Sequence, residues 1–365
     1  MTFTGFSRPV HPDWEDLLLC LRRQGAPKRV HHIELFLDPE VQDAICDAFG
    51  LLEFLSDSDP AYPLRKQIAI QSFLGYDYIR CGAENVVLQF HRNQADDTAS
   101  SLTRQSGRLF MEENRGPITN WEEFERYPWP ELNHITTRAL EWYENNLPDN
   151  MCIIAGGGFG HFAEHLSWLM GYTTLCSALF EQRDLVRAIY ERVLEQDIYV
   201  AGMMVQFDKV KARWGSDDMG FKGGLLFSPA DMREFVLPGH KALAKIAHDA
   251  GRPYLLHSCG DLELIMNDLI DDVGIDAKHS FEDVIRGGVS AAKSKYGRRL
   301  AILGGIDVDF LCRSTEEETR RRVREILECC HPGGGYCLGT GNSVANYIPL
   351  RNYLAMLDEG RSFLC

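Results

Sequence analysis

Residues 253–261 read Pro253-Tyr254-Leu255-Leu256-His257-Ser258-Cys259-Gly260-Asp261. A short apolar run entered through a proline and left through a glycine is the pattern of a buried strand of a parallel sheet. At the two-residue repeat of a strand, His257 and Cys259 point to the same side. An imidazole and a thiolate so placed can share one zinc ion. Alone they are a two-ligand fragment, and a chain with 11 Cys and 12 His holds such pairs by chance. A catalytic zinc needs a third protein ligand.

Working outward in both directions, similar apolar runs recur at residues 30–37, 86–90, 151–155, 210–214, 275–279, 300–304 and 335–339. With 253–258 they make eight, the number a closed barrel requires. Amphipathic stretches at 184–206, 229–250, 262–273, 315–331 and 350–359 alternate with them, which predicts parallel βαβ units. The expected fold class is therefore α/β, a single (β/α)8 TIM barrel. No Gly/Ser-rich or Pro-rich linker divides the chain, so one domain over 1–365 is expected. Residues 12–23, with Trp14, Leu17, Leu18, Leu19 and Leu21, predict an N-terminal helical extension that plugs the barrel bottom or covers an edge. Residues 92–129 break the rhythm and read as a long βα insertion over the barrel mouth.

The net charge of −15 disfavours nucleic acid or an anionic membrane surface as the partner. A small molecule or another protein is expected instead. The cysteines are scattered and odd in number, without repeated CxxC spacing, which argues against a disulfide framework. There is no signal-peptide core at the N-terminus and no apolar run of membrane-spanning length, so a cytoplasmic location is expected.

In a barrel of parallel strands, catalytic groups gather at the strands' C-terminal ends. Those ends here carry Glu34, Phe36 and Asp38; the run Gly156-Gly-Gly-Phe-Gly-His161; Trp214, Asp217 and Asp218; His257 and Cys259; His279 and Glu282; Asp307; and Asn342. Each has a plainer reading. The triple glycine is a tight strand-to-helix connection, since the pattern of a dinucleotide-binding loop is missing. Asp217-Asp218 also suits a turn with a helix N-cap, Asp307 a loop anchor, and Glu34 and His279 satisfied internal groups. Ionisable groups at so many successive strand ends are nevertheless better explained by one site than by separate coincidences.

In their order along the chain, Trp214-Gly-Ser-Asp-Asp-Met-Gly220, His257-Ser-Cys-Gly-Asp261, Gly304-Gly-Ile-Asp307, Gly333-Gly-Gly-Tyr-Cys-Leu-Gly-Thr-Gly-Asn-Ser343 and Asn352-Tyr-Leu-Ala-Met356 resemble the uroporphyrinogen decarboxylase superfamily, particularly its cobamide-dependent methyltransferase branch. The resemblance covers roughly residues 30–360 and implies a single (β/α)8 barrel. In that branch a zinc ion held by His-x-Cys on strand five and a Cys after strand eight activates a thiol substrate. His257 and Cys259 match the first two positions. The third falls on Asn342, a much weaker zinc ligand, and Glu34, Asp38 or His279 would have to complete the set. The Arg-rich loop with which a true uroporphyrinogen decarboxylase binds its substrate's carboxylates has no counterpart, the nearest string being Cys20-Leu-Arg-Arg-Gln-Gly-Ala26.

The resemblance therefore implies a corrinoid-dependent methyltransferase component that takes a methyl group from a small O-, N- or S-methylated donor, as in O-demethylation of a methoxylated aromatic. No corrinoid-binding Asp-x-His-x-x-Gly string occurs, so the cobamide would be carried by a separate corrinoid protein. Zinc on His257 and Cys259, with Glu34, Asp217 and Asp307 as catalytic acids and Phe36, Trp214, Asp218, His279 and Asn342 around the donor, is the concrete expectation. A uroporphyrinogen decarboxylase-like carboxy-lyase, or a non-catalytic barrel that binds a ligand or a corrinoid protein, is the alternative.

Overall fold

The computed structural model describes residues 5–99, 102–282 and 285–363. Cys365 lies outside them. Eleven strands occur among the described residues: β1 (Tyr78–Cys81), β2 (Arg92–Ala95), β3 (Arg108–Met111), β4 (Cys152–Gly156), β5 (Val210–Ser216), β6 (Gly220–Phe221), β7 (Gly224–Leu225), β8 (Tyr254–His257), β9 (Ala277–His279), β10 (Ala301–Leu303) and β11 (Tyr336–Cys337). Seven of them form a curled parallel sheet in the order β1-β4-β5-β8-β9-β10-β11. β4 and β8 are buried along their whole length, as expected of parallel strands covered on both faces.

The expected eight strands become seven, and two of the expected positions differ. Residues 30–37 run beside β11 with a few parallel contacts: Leu338 N–H donates to His31 O at 2.8 Å, Ile33 N–H to Leu338 O at 2.8 Å and Val344 N–H to Phe36 O at 2.9 Å. Toward β1 the link is made by side chains. The Tyr78 hydroxyl accepts from Glu34 N–H at 2.9 Å and lies 3.1 Å from Glu34 O, and the Arg80 guanidinium donates to Leu35 O. A cavity of about 290 Å³ lined by Glu34, Phe36, Tyr78 and Arg80 opens at this seam.

The strand expected at 86–90 is a loop, and β1 takes its place. The Tyr127 hydroxyl accepts from Gln89 N–H at 2.6 Å and donates to Gln89 O at 2.9 Å, which satisfies that backbone without a ladder. β1 is only four residues long, Tyr78-Ile-Arg-Cys81, and follows closely on the helix Tyr62–Leu74.

Other elements follow the pattern closely. The helix Trp14–Leu21 is capped by Asp13 and packs Cys20 against Tyr336 and Cys337 at the N-terminal end of the sheet. The stretch 229–250 divides into Pro229–Phe235 and Leu237–Asp249, because Pro238 cannot continue the first helix. In 262–273 the helix is limited to Asp268–Val273. The insertion contains the antiparallel β2–β3 hairpin and the helix Trp121–Arg126. Arg108 ties that hairpin to Asp38, Asp97 and Asn346, and Arg104 forks onto both oxygens of Glu40. No helix among the described residues is long and apolar enough to cross a membrane.

Candidate metal centre

The register of β8 against β9 pairs His257 with His279, so the two rings stand side by side on one face of the sheet. His279 Nε2 lies 2.9 Å from Thr340 O, and the two Nδ1 atoms lie 2.7 Å apart. A carbonyl can only accept, so Nε2 of His279 carries the hydrogen and its Nδ1 offers a lone pair. His257 must then donate from Nδ1. Its Nε2 is left with a lone pair aimed away from the relay, toward Asp218 and Cys259. Burial holds both rings below the ordinary histidine value, so both are neutral. Asp218 attracts a proton to His257, but burial and the nearby Lys278 and Arg80 outweigh it.

Asp218, His257 and Cys259 have ligand atoms within 4.8 Å of one another. His257 Nε2 is 3.5 Å from Cys259 Sγ and 3.4 Å from Asp218 Oδ1. A tetrahedral zinc with bonds of about 2.0 Å to nitrogen and oxygen and about 2.3 Å to sulfur needs about 3.5 Å between N and S and about 3.3 Å between N and O. The donor set fits. Burial works against the ionised form of Asp218, and the Cys259 N–H, donating to its Oδ1 at 3.0 Å, favours it. The side chain of Asp218 is 42% exposed while His257 is sealed, which leaves an approach from the mouth. Asn342 donates from Nδ2 to Cys259 Sγ at 3.2 Å, so the amide at the expected third-ligand position touches the sulfur.

Glu34 is buried, with Oε1 accepting from Thr340 N–H at 2.8 Å and Oε2 2.5 Å from Thr340 Oγ1. That hydroxyl also lies 2.9 Å from Asn342 O, a pure acceptor. One hydroxyl hydrogen cannot serve both contacts. Burial pushes the Glu34 carboxyl up to about 8, against the hydrogen bonds from Thr340, and so favours a protonated Glu34 that leaves the hydroxyl hydrogen for Asn342 O. Thr340 thereby joins Glu34 to both His279 and Asn342.

The remaining expected residues lie around this core. Trp214 is buried, with the Arg80 guanidinium 4.7 Å above its ring and His279 edge-on at 5.8 Å. Asp217 accepts from Ala163 N–H at 2.9 Å and Glu164 N–H at 3.0 Å, and its Oδ2 lies 2.9 Å from His240 Nε2. It anchors the start of the helix Phe162–Met170. Asp307 caps the helix Val308–Arg313 through Phe310 N–H at 2.8 Å. Phe36, 52% exposed, lines the seam cavity. Thus Asp218, His257, Cys259, Asn342 and His279 converge, Glu34 reaches them through Thr340, and Asp217 and Asp307 turn to helix starts.

Thr340, Lys278 and Glu164 also serve these groups, although no spacing in the amino-acid sequence marks them. Lys278 is buried and donates to Ser258 O at 3.1 Å and Ser280 O at 2.9 Å, the carbonyls just past His257 and His279. No spacing rule singles out a threonine whose carbonyl and hydroxyl both serve a site. The Lys278-His279 adjacency was visible, but its inward or outward placement was not.

The model of the family described as Uroporphyrinogen decarboxylase (URO-D) matches residues 109–363. The methylated-thiol–coenzyme M methyltransferase of Methanosarcina mazei is 32% identical over 157 residues, 42% of this chain and 40% of that protein. The chain thus matches well under half the length of that curated relative. A solved structure described as a methyltransferase from Methanosarcina mazei superposes with a TM-score of 0.68 at 18% identity, over 97% of this chain and 100% of the other, a likeness of fold.

Proposed function

The chain belongs to the uroporphyrinogen decarboxylase family, and from that premise we propose that it is a methyltransferase component that moves a methyl group from a small O-, N- or S-methylated donor to a cobamide carried by a separate corrinoid protein. The observation that carries this reading is the Asp218/His257/Cys259 cluster, whose N–S and N–O distances suit zinc and whose Asp218 side is open toward the mouth. Three protein ligands and a free position are the arrangement of a catalytic zinc rather than a structural one. The similarity to a methylated-thiol–coenzyme M methyltransferase points the same way.

When bound there, zinc would act as a Lewis acid on the donor's heteroatom. Around it the chain's own groups have distinct tasks. His279 holds His257 in the tautomer whose Nε2 is free. Asn342 fixes the Cys259 sulfur, and neutral Glu34 stiffens the Thr340 corner on which both depend. We further propose that residues 30–37 close the sheet into an eight-membered barrel, that the chain is one domain, and that it works in a reducing cytoplasm. The ten described cysteines, all unpaired, agree with the last point.

Metal analysis and an assay decide the matter. The purified protein should hold about one zinc per chain, lost in Cys259→Ala, and should methylate a reduced corrinoid protein from methylated thiols, methoxyaromatics or methylamines. A zinc-free protein, or one that decarboxylates uroporphyrinogen at an enzymatic rate, overturns the reading.

A further inference from the structure

After β4 the chain passes through Gly157, Gly158 and Gly160, all at positive φ, and delivers His161 to the start of the helix Phe162–Met170. His161 Nδ1 lies 2.6 Å from Glu164. Asp217 clamps the same helical turn to the end of β5 by accepting from Glu164 N–H. The next residue, Asp218, belongs to the metal cluster. Two successive aspartates therefore hold the His161–Glu164 pair on one side and the candidate metal centre on the other, and Glu164 lies close enough to sense the charge of Asp218.

His165 and Trp168 follow His161 on the same helical face, with ring centroids 5.4 Å and 6.0 Å from it, and Phe90 packs against both of them at 5.7 Å and 5.3 Å. Helical spacing of rings is ordinarily packing, and His165 fits that description, being buried with an unpartnered Nδ1. His161 differs. Its Nε2 has no hydrogen-bond partner among the described residues, and its side chain stays 15% exposed. An imidazole with one nitrogen on a carboxylate and the other open is the arrangement of a general acid or base.

The charges facing this pair are Glu164 on its own helix, Asp217 and Asp218 at the end of β5, and Asp197 on the helix Arg183–Met204. Burial pulls His161 down, but Glu164 with Asp217 and Asp197 more than offsets it and leaves the imidazole above its ordinary value. Burial likewise lifts Glu164 to about 7, against the pull of His161. With Nδ1–H donated to Glu164, the imidazolium keeps its Nε2–H free.

We propose that His161, oriented by Glu164, is the general acid of the methyl transfer and delivers its Nε2 proton to the heteroatom that leaves the donor. This rests on the methyl-transfer reading and names a residue for its leaving-group step. The nucleophilic acceptor supplies the electron pair of the new bond to the methyl carbon. The carbon–heteroatom bond breaks with its pair on the heteroatom, which takes the proton from His161. Neutral His161 then regains a proton from solvent. Donors with good leaving groups need little of this help.

The test uses the full chain with chemically reduced cobalamin as acceptor and a series of methyl aryl ethers whose phenols span acidic nitrophenols to unsubstituted phenol. His161→Asn should lower kcat for the least acidic phenol by about 10²–10⁴-fold and for the nitrophenols by far less, so that rate falls more steeply with phenol pKa than in wild type. Glu164→Gln should show the same steepening in weaker form and serves if His161→Asn does not fold, with zinc content as the folding control for both. An equal fractional loss across the series overturns the proposal and leaves the methyl-transfer reading standing. Failure of the wild type to use any ether, thioether or amine donor overturns both.

Discussion

His257 and His279 meet Nδ1 to Nδ1 at 2.7 Å, and the hydrogen between them belongs to His257, because His279 has spent its own on the carbonyl of Thr340. That contact between the two Nδ1 atoms leaves the His257 Nε2 lone pair facing Asp218 and Cys259.

Replacing His279 with Leu should remove that orientation while leaving Asp218, His257 and Cys259 in place. Zinc affinity is expected to fall by about 10–100-fold, the usual effect of losing the partner that orients a metal-bound imidazole. Competition with a chelating dye measures it, and an unchanged dissociation constant would refute the orienting role.

Asn342 touches the Cys259 sulfur, so Asn342→Cys would bring a second thiolate within reach of the same ion. Zinc should bind at least about tenfold more tightly, since thiolate is a much stronger ligand than carboxamide. Unaltered affinity would show that position 342 faces away from the metal.

Glu34 gives a pH signature whose sign can be worked out. Its folded-state value, pushed up to about 8 by burial, lies above the ordinary carboxyl value near 4.5. Its contribution to stability is therefore fully present below pH 4.5 and is lost as pH rises through about 8. Thermal melts of wild type should weaken across that window by more than those of Glu34→Gln, the difference amounting to a few kcal/mol at most. Parallel pH profiles for the two proteins would mean that Glu34 is ionised in the fold.

Asp217 serves two backbone N–H groups and His240 from a fully buried position. Asp217→Ala strands those donors and should cost about 3 kcal/mol, read as a lowered midpoint in urea. Zinc content of whatever protein folds should stay near one per chain. Retained stability with lost metal would instead place Asp217 in the site.

Much of this was legible in the amino-acid order. The runs at 151–155, 210–214, 253–258, 275–279, 300–304 and 335–339 all overlap strands of the sheet, because strands covered on both faces are mostly apolar. His257 and Cys259 were visible as a pair because a strand's two-residue repeat is a local property. The gaps have a common cause. Val86-Val-Leu-Gln-Phe90 has a strand's composition, yet the Tyr127 hydroxyl satisfies Gln89, while Tyr78-Ile-Arg-Cys81 forms the strand despite its arginine. The choice between them depends on partners far away in the chain.

The sequence by itself determined the alternating strands and helices, the polar strand ends and the His-x-Cys fragment, since each depends on neighbours a few bonds apart. Tertiary structure alone decided which polar ends meet. Asp217 and Asp218 are adjacent and chemically identical, yet one turns to a helix start and the other to His257 and Cys259. That division is set by which side of β5 each carboxylate leaves from, and by the N–H groups of a helix more than fifty residues earlier. Likewise Thr340 reaches Glu34 across more than three hundred residues. Such contacts exist only once the sheet has curled and brought the strand ends together, because hydrogen bonds act over about 3 Å and carry no trace in sequence separation.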